Sequence, residues 1–432
     1  MTSRAQSTTT IAGNPVQDRL VPYRAFRNWT GSQGCVPAHT MRAETEADVV
    51  DTIRYALDAS LQVRPIGSGL SFSPVHQTGG VLLDPSGLSG ITGIDSDRGR
   101  ARVLAGTKVW ELVEMLWDAG WSLPQTGMLD AQSIVGALST GTHGSGTELG
   151  CMASYVHWIR LVDGSGEIRE IGDDEPELLH AAQVSLGTLG VITEVELEVV
   201  PRFWLAEDAR YATWDETMAH WSDASANRHY AVMYFPHDGS ADLYSVPRPD
   251  GQAVADHVME QRFNAVRSAA DDELVEEFGR RLQPAYKIMS LGGGVMPLLY
   301  EEQEYMVAAE RGQEAVAAMR ALYRERHPDH AYPLYVRFIA GDPAFLSPFH
   351  ERDSIALSSG FSTEQDHWPL FTDIDRMLVG EFDARPHWGK NHLMTRERMQ
   401  RAYPRYDDFT RIRGEFDPRG IFLNDHLRAL VG

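Results

Sequence analysis

The sequence predicts a mixed α+β chain: helices and strands alternate up to about Pro201, and aromatic-rich strands then mix with charged helices. A Thr45 cap opens a helix over 46–59, with Val49, Val50, Ile53, Ala56 and Leu57 at helical spacing. Strand-like runs follow at 62–66, 80–83 and 100–105, then an amphipathic helix over 107–119 closed by Gly120. Strands at 156–162, 167–171 and 190–200 complete the first unit, the first two joined by the hairpin turn Asp163-Gly-Ser-Gly166. Beyond residue 203, strands are expected at 230–235 and 334–340 and charged helices at 271–282 and 301–326. Gly292-Gly-Gly294 reads as a connector. Near the end, Asp417-Pro-Arg-Gly-Ile-Phe-Leu-Asn424 predicts a turn leading into a buried strand or end piece.

With 432 residues the chain can bury large cores and holds two or three domains. Its 43% hydrophobic and 23% charged residues are ordinary for a globular protein. A formal charge of −22 argues against nucleic acid or an anionic membrane surface as partner. Cys35 and Cys151 make neither a disulfide framework nor a C-x-x-C motif. The polar stretch 1–13 lacks the apolar region of a signal peptide, and no apolar run of about 18 residues occurs. A cytoplasmic protein with a loose tail over 1–20 is the expectation.

The feature that points to chemistry is a pair of glycine-rich segments, Arg64-Pro-Ile-Gly-Ser-Gly-Leu-Ser71 and Ser133-Ile-Val-Gly-Ala-Leu-Ser-Thr-Gly-Thr-His-Gly-Ser-Gly146. Glycines allow positive φ and close backbone approach, so consecutive N–H groups can converge on an anion. Two such loops in one unit suggest a long ligand with a pyrophosphate in its middle. The alternative for either loop alone is an ordinary tight turn. The dinucleotide fingerprint G-x-G-x-x-G fails, because Phe72 stands where its third glycine belongs. No P-loop sequence occurs.

Taken with Asn28-Trp29, Gly187-Thr-Leu-Gly-Val-Ile192, Tyr234-Phe-Pro-His237, Arg352-Asp-Ser354, Arg385-Pro-His-Trp-Gly-Lys390 and the ending 417–424, these loops carry a resemblance over nearly the whole chain. The sequence resembles the sugar-lactone and alditol oxidoreductases of the vanillyl-alcohol-oxidase flavoprotein superfamily. That resemblance implies a two-subdomain FAD-binding domain of the PCMH type over 21–202 and an α+β cap over 203–385. It also implies that 386–432 returns to the flavin. By the same resemblance, Pro65, Ile66, Gly67, Ser68, Gly69, Leu70 and Ser71 hold the FAD together with Gly136, Thr140, Gly141, His143, Gly144, Ser145 and Gly146. Val191 and Ile192 match the adenine side. Ser133 matches a position near flavin and substrate, and Arg337 and Lys390 match a cationic pair facing the substrate, Lys390 also touching the flavin. Without the motif, Arg337 and Lys390 read as ordinary ion-pair residues.

Three departures qualify the match. Leu70 stands where many relatives carry the histidine that bonds covalently to flavin, so non-covalent FAD is expected; His76, six residues on, reads as a surface histidine. The family's Glu-x-Arg is Tyr335-Val-Arg337, and Gly360 replaces a polar substrate contact. A carboxylate accepts a proton at neutral pH where a phenol mostly donates. The proton acceptor is therefore open among Tyr335 with a lowered pKa, His387 and water, and Tyr335 is alternatively an aromatic wall.

The reaction class implied is oxidation of a CH–OH group of an aldonolactone or polyol, with oxygen or another acceptor reoxidising the flavin. An amino sugar or aminoglycoside-type alcohol is the alternative substrate, and a flavin-binding protein without activity the alternative class. A zinc enzyme built on His387, His392 or His76 is set aside, because their spacing matches no zinc motif.

Overall fold

The computed structural model describes residues 19–243, 246, 253–270, 273–277, 279–290 and 299–432, organised by three principal sheets. The first has four strands, ordered Val21–Pro22, His39–Arg42, Val81–Asp84 and Val63–Pro65, the last three parallel. Helix Glu46–Asp58 covers it. Thr45 opens the helix: its side chain accepts the Asp48 N–H, and the Asp48 carboxylate accepts the Thr45 N–H. Val49, Ile53 and Ala56 pack on Met41, Val63, Val81 and Leu83, burying the stripe read from the sequence.

The second sheet is antiparallel, ordered Ile168–Gly172, Val156–Val162, Val191–Glu198, Arg100–Leu104 and Ile91–Asp95. Helix Val109–Asp118 buries Val109, Leu112, Val113 and Leu116 in the same core as Ala101, Val103, Val195 and Leu197. The predicted strand 190–200 divides, since Val200–Pro201 pairs instead with Trp121–Ser122.

The third sheet has eight antiparallel strands: Leu282–Pro284, Trp204–Thr213, His257–Val266, His229–Phe235, Leu334–Ile339, Ser354–Ser362, Tyr300–Ala308 and Arg385–Pro386. Side chains alternate across it with period two. Val232, Tyr234, Val336, Phe338, Ile355, Leu357, Tyr305 and Val307 face helices Gly312–Arg326 and Trp368–Phe382 in one core. The opposite face turns toward the first half of the chain.

Several expectations change here. The helix expected over 301–326 begins only at Gly312, and Tyr300–Ala308 is a strand. Local charge suggested a helix, but Lys390 and Arg337 neutralise Glu302 and Glu304 and neutral side chains of Asn391 and Thr30 donate to Glu301, so tertiary context overrides propensity. No α-helix forms over the described part of 271–282: Val275 bridges Leu282, which opens an edge strand. Gly292-Gly-Gly294 lies outside the described residues. The 417–424 segment is an end piece, not a strand. Its Asp417 carboxylate accepts the N–H groups of Ile421 and Phe422, and Asn424 caps helix Asp425–Val431. Among the described residues no helix is long and apolar enough to cross a membrane.

His76 is not a surface residue. It is buried against the Phe26 ring, and burial, with Arg64 adding to it, pushes its pKa down to about 4. Burial likewise depresses His229 and His426 to about 4, and His330 and His392 to about 3. Each stays neutral in the folded chain and takes up a proton on unfolding below the ordinary value of 6.5. Their contribution is therefore full above about pH 6.5 and lost as pH falls toward 4. Thermal midpoints should rise with pH from 4.5 to about 6.5 and level off above it as far as these groups are concerned, and unfolding near pH 5 should take up about 4.5 protons from these groups alone.

Candidate active site

A cavity of about 770 Å³ separates the two halves, lined on one side by the glycine loops and on the other by the inner face of the eight-stranded sheet. Strand Val63–Pro65 delivers the first loop, whose ends are fixed: the Ile66 N–H donates to Leu83 O and the Phe72 N–H to Gly389 O. Between them, the N–H groups of Gly67, Ser68, Gly69, Leu70 and Ser71 donate to no protein acceptor among the described residues. The second loop repeats this. The Thr142 N–H donates to Ala137 O and the Gly146 N–H to Phe338 O, while the backbone N–H groups of His143, Gly144 and Ser145 between them donate to no described acceptor. Runs of unpaired N–H groups at a cavity wall form a nest for an anion.

Close approach explains two glycines. A Cβ at Gly67 would lie 2.1 Å from Ser133 Oγ, and one at Gly144 would lie 2.7 Å from the Thr126 carbonyl oxygen. Pro65, Ile66, Gly67–Ser71, Ser133, Gly136, Thr140, His143–Ser145, Val191 and Ile192 all line the cavity, as do Tyr335, Arg337, His387 and Lys390. Gly141, Gly146 and Gly360 do not. Gly141, at φ +75°, turns the loop after helix Ile134–Ser139, and Gly146 is held to Phe338 behind the wall. Gly360 sits opposite Glu302 in the sheet.

The sheet brings in two carboxylates that the sequence reading missed. Glu302 and Glu304, two apart on Tyr300–Ala308, both face the cavity. Glu302 accepts hydrogen bonds from Lys390 Nζ and Ser358 Oγ. Glu304 is ion-paired with Arg337 Nη2 and has His143 Nε2 at 3.4 Å. Burial raises the Glu304 pKa, but Arg337 and His143 outweigh it and hold the carboxyl well below its usual range. The alternation Tyr300-Glu-Glu-Gln-Glu-Tyr-Met-Val is the signal that would have marked a strand with carboxylates sharing one face.

Neither side chain proposed as the proton acceptor suits that role. Burial raises the Tyr335 pKa despite Arg337, so the phenol stays protonated and forms a wall beside Met233 and Met259. Lys390 instead pairs with Glu302. His387 is held neutral, its pKa pushed well down by burial and by Lys390, His143 and Arg337 against the pull of Glu304. Its Nδ1 accepts the Gly389 N–H at 3.0 Å, so Nε2 carries the proton and can only donate. His143, Glu304 and His387 form the one His/carboxylate group among the described residues close enough to share a metal ion. Arg337 already neutralises that carboxylate, which makes it an ion-pair centre.

The cavity, bordered by two runs of unpaired N–H groups and roofed by a sheet carrying paired cations and carboxylates, suits an extended anionic cofactor beside a polar substrate, and the family matches that follow make it the site of an FAD-dependent oxidoreductase. Residues 37–172 match the FAD binding domain family, and residues 195–430 match the D-arabinono-1,4-lactone oxidase family. The chain belongs to the D-arabinono-1,4-lactone oxidase family. It is 30% identical over 429 residues to an L-gulono-1,4-lactone dehydrogenase of Mycobacterium tuberculosis, covering 94% of this chain and 99% of that protein. An L-gulonolactone oxidase of Mus musculus is 26% identical over 439 residues, covering 94% and 98%. An alditol oxidase of a Streptomyces species is 28% identical over 429 residues, covering 94% and 99%. In fold, cholesterol oxidase from B. sterolicum superposes with a TM-score of 0.78 at 13% identity over 100% of both chains. A solvent-stable cholesterol oxidase does so at 0.80 and 16%, over 97% and 99%.

The unpaired N–H groups fit the diphosphate of FAD. Gly67→Ala and Gly144→Ala should each weaken FAD binding about ten- to hundredfold in a flavin fluorescence titration. Adding Ser133→Ala to Gly67→Ala should restore much of the loss, since the obstructing Oγ is gone. No comparable side-chain change rescues Gly144→Ala, whose obstacle includes a backbone carbonyl.

Proposed function

We propose that this chain oxidises a CH–OH group of a sugar-derived substrate, of aldonolactone or alditol type, to a carbonyl. Residues 21–202 carry the FAD, 203–385 cover the substrate and 386–432 return to complete the site. FAD supplies a hydride acceptor and the means to pass two electrons to oxygen or another acceptor. The observation that carries the reading is that both anion nests and the Arg337–Glu304 and Lys390–Glu302 pairs open into one cavity.

The protein's part follows from its side chains. Gly67–Ser71 and His143–Ser145 bind the diphosphate through N–H groups. Lys390, above the Phe72 ring at 5.1 Å, and Arg337 supply positive charge for an oxygen that loses its proton. Glu302 and Ser358 offer acceptors for substrate hydroxyls, and His387 Nε2 offers a donor.

Charge balance favours a neutral hydroxylic substrate over an amino sugar. Each of the two carboxylates is matched by a cation, which leaves no surplus negative charge there for an ammonium group. FAD is held non-covalently, because Leu70 has no atom to bond to the flavin ring.

Acid precipitation of the yellow protein should release essentially all of its flavin into the supernatant; a yellow pellet would contradict the non-covalent reading. Anaerobic titration with aldonolactones, alditols and amino sugars should bleach the flavin band with the first two. Bleaching by amino sugars alone would reverse the substrate assignment, and no bleaching by any would favour a flavoprotein without this activity. Admitting air afterwards separates an oxidase from a dehydrogenase.

A further inference from the structure

Resting on the oxidation proposed above, we propose that Glu302 is the catalytic carboxylate that takes the proton of the reacting hydroxyl, in place of the carboxylate absent at Tyr335. Three observations carry this. Glu302 lines the cavity with 8% of its surface exposed, against 1% for Glu304. Its two oxygens accept one hydrogen bond each, from Lys390 and Ser358, and a carboxylate has room for about four. Gly360 stands directly opposite it in the sheet, so residue 360 itself places no side chain on that flank.

The competing groups are otherwise engaged. Glu304 is tied to Arg337 and faces His143, Tyr335 remains a phenol, and His387 presents a donor. Ser358 and Lys390 fix the Glu302 carboxylate from two sides, which orients its remaining lone pairs.

The step balances. As the O–H proton passes to a Glu302 oxygen, the hydrogen on the same carbon leaves with its electron pair for the oxidised flavin, and the C–O bond becomes C=O. The alcohol is oxidised by two electrons and the flavin is reduced by two. Glu302 then gives its proton to water, and the oxygen or other electron acceptor of the proposed oxidation restores the flavin.

The test uses FAD-loaded protein with L-gulono-1,4-lactone and xylitol as probes, followed by anaerobic stopped-flow absorbance. Glu302→Gln keeps an acceptor oxygen and loses the base. Its limiting rate of flavin bleaching should fall about 10²–10⁴-fold, with the probe dissociation constant changed by less than about threefold. Glu302→Asp should recover part of the rate. A xylitol analogue with methyl groups replacing every hydrogen on the carbinol carbon that wild type oxidises cannot give up hydride there and reports binding through the flavin absorbance shift. Glu302→Leu should weaken that analogue at least about tenfold while FAD affinity stays within about threefold.

A wild-type bleaching rate in Glu302→Gln overturns the assignment and leaves the proposed oxidation standing. Loss of FAD and of thermal stability in all three variants, with no recovery in Glu302→Asp, also overturns it and makes Glu302 a structural ion-pair partner. Failure of both probes to bleach the wild type overturns the oxidation of lactones and alditols, and the role of Glu302 with it.

Discussion

A carboxylate in the interior of a sheet must be neutralised before the protein can close over it. Here two such groups, Glu302 and Glu304, share one face of one strand, and much of the site is arranged to meet that demand. Arg337 reaches Glu304 across an intervening strand, Ser354–Ser362. That strand offers Ala356, Ser358 and Gly360 on the same sheet face, opposite Arg337, Glu304 and Glu302 in register, with Ser358 reaching the cavity. Small side chains in the middle let long ones from the flanks lie over them. Removing one partner of such a buried pair typically costs about 3–5 kcal/mol, so the pairs constrain the sheet as well as the chemistry.

The second carboxylate binds the chain's far end to the same face. Lys390 arrives from the segment after Arg385–Pro386, itself the last strand of the sheet, and is held near the first glycine loop by Phe72 N–H to Gly389 O and Ser73 Oγ to Trp388 O. Behind that loop the buried Arg64 guanidinium donates to the carbonyls of Leu186, Gly187 and Phe422. Segments distant in sequence are thereby fixed around the first nest. Its N–H groups stay unpaired because both loop ends are already bonded to rigid neighbours, which is the preorganisation an anion site needs.

What could be read from the sequence follows from which signals are local. Thr45 capping and the Val49–Ile53–Ala56 stripe of the first helix are written in adjacent residues, and they form as read. The glycine loops were legible because their residue types report backbone demands directly. The strand Tyr300–Ala308 was not, since its glutamates are stabilised by Arg337, Lys390 and Asn391, whose proximity no local pattern reveals. His76 failed for the same reason: six residues beyond the loop it is packed under Phe26 rather than exposed. The chemistry of Tyr335 likewise depended on burial, which raises its pKa where a nearby cation alone would lower it.

Charge counting links the departure at Tyr335 to the carboxylate at Glu302. A glutamate at position 335 would share a sheet row with Ser358 and Glu304, and Glu302 would lie on the next row. The cavity face would then hold three carboxylates against Arg337 and Lys390, and the unmatched one would be buried at a cost of several kcal/mol or forced to stay protonated. A neutral phenol at 335 removes that conflict. With Gly360 clearing the flank of Glu302 and Lys390 balancing its charge, the face keeps two anions, two cations and one carboxylate open to the cavity. The phenol at 335 thus leaves room for a charge-balanced carboxylate at 302, and the two positions are read together as one arrangement of the site.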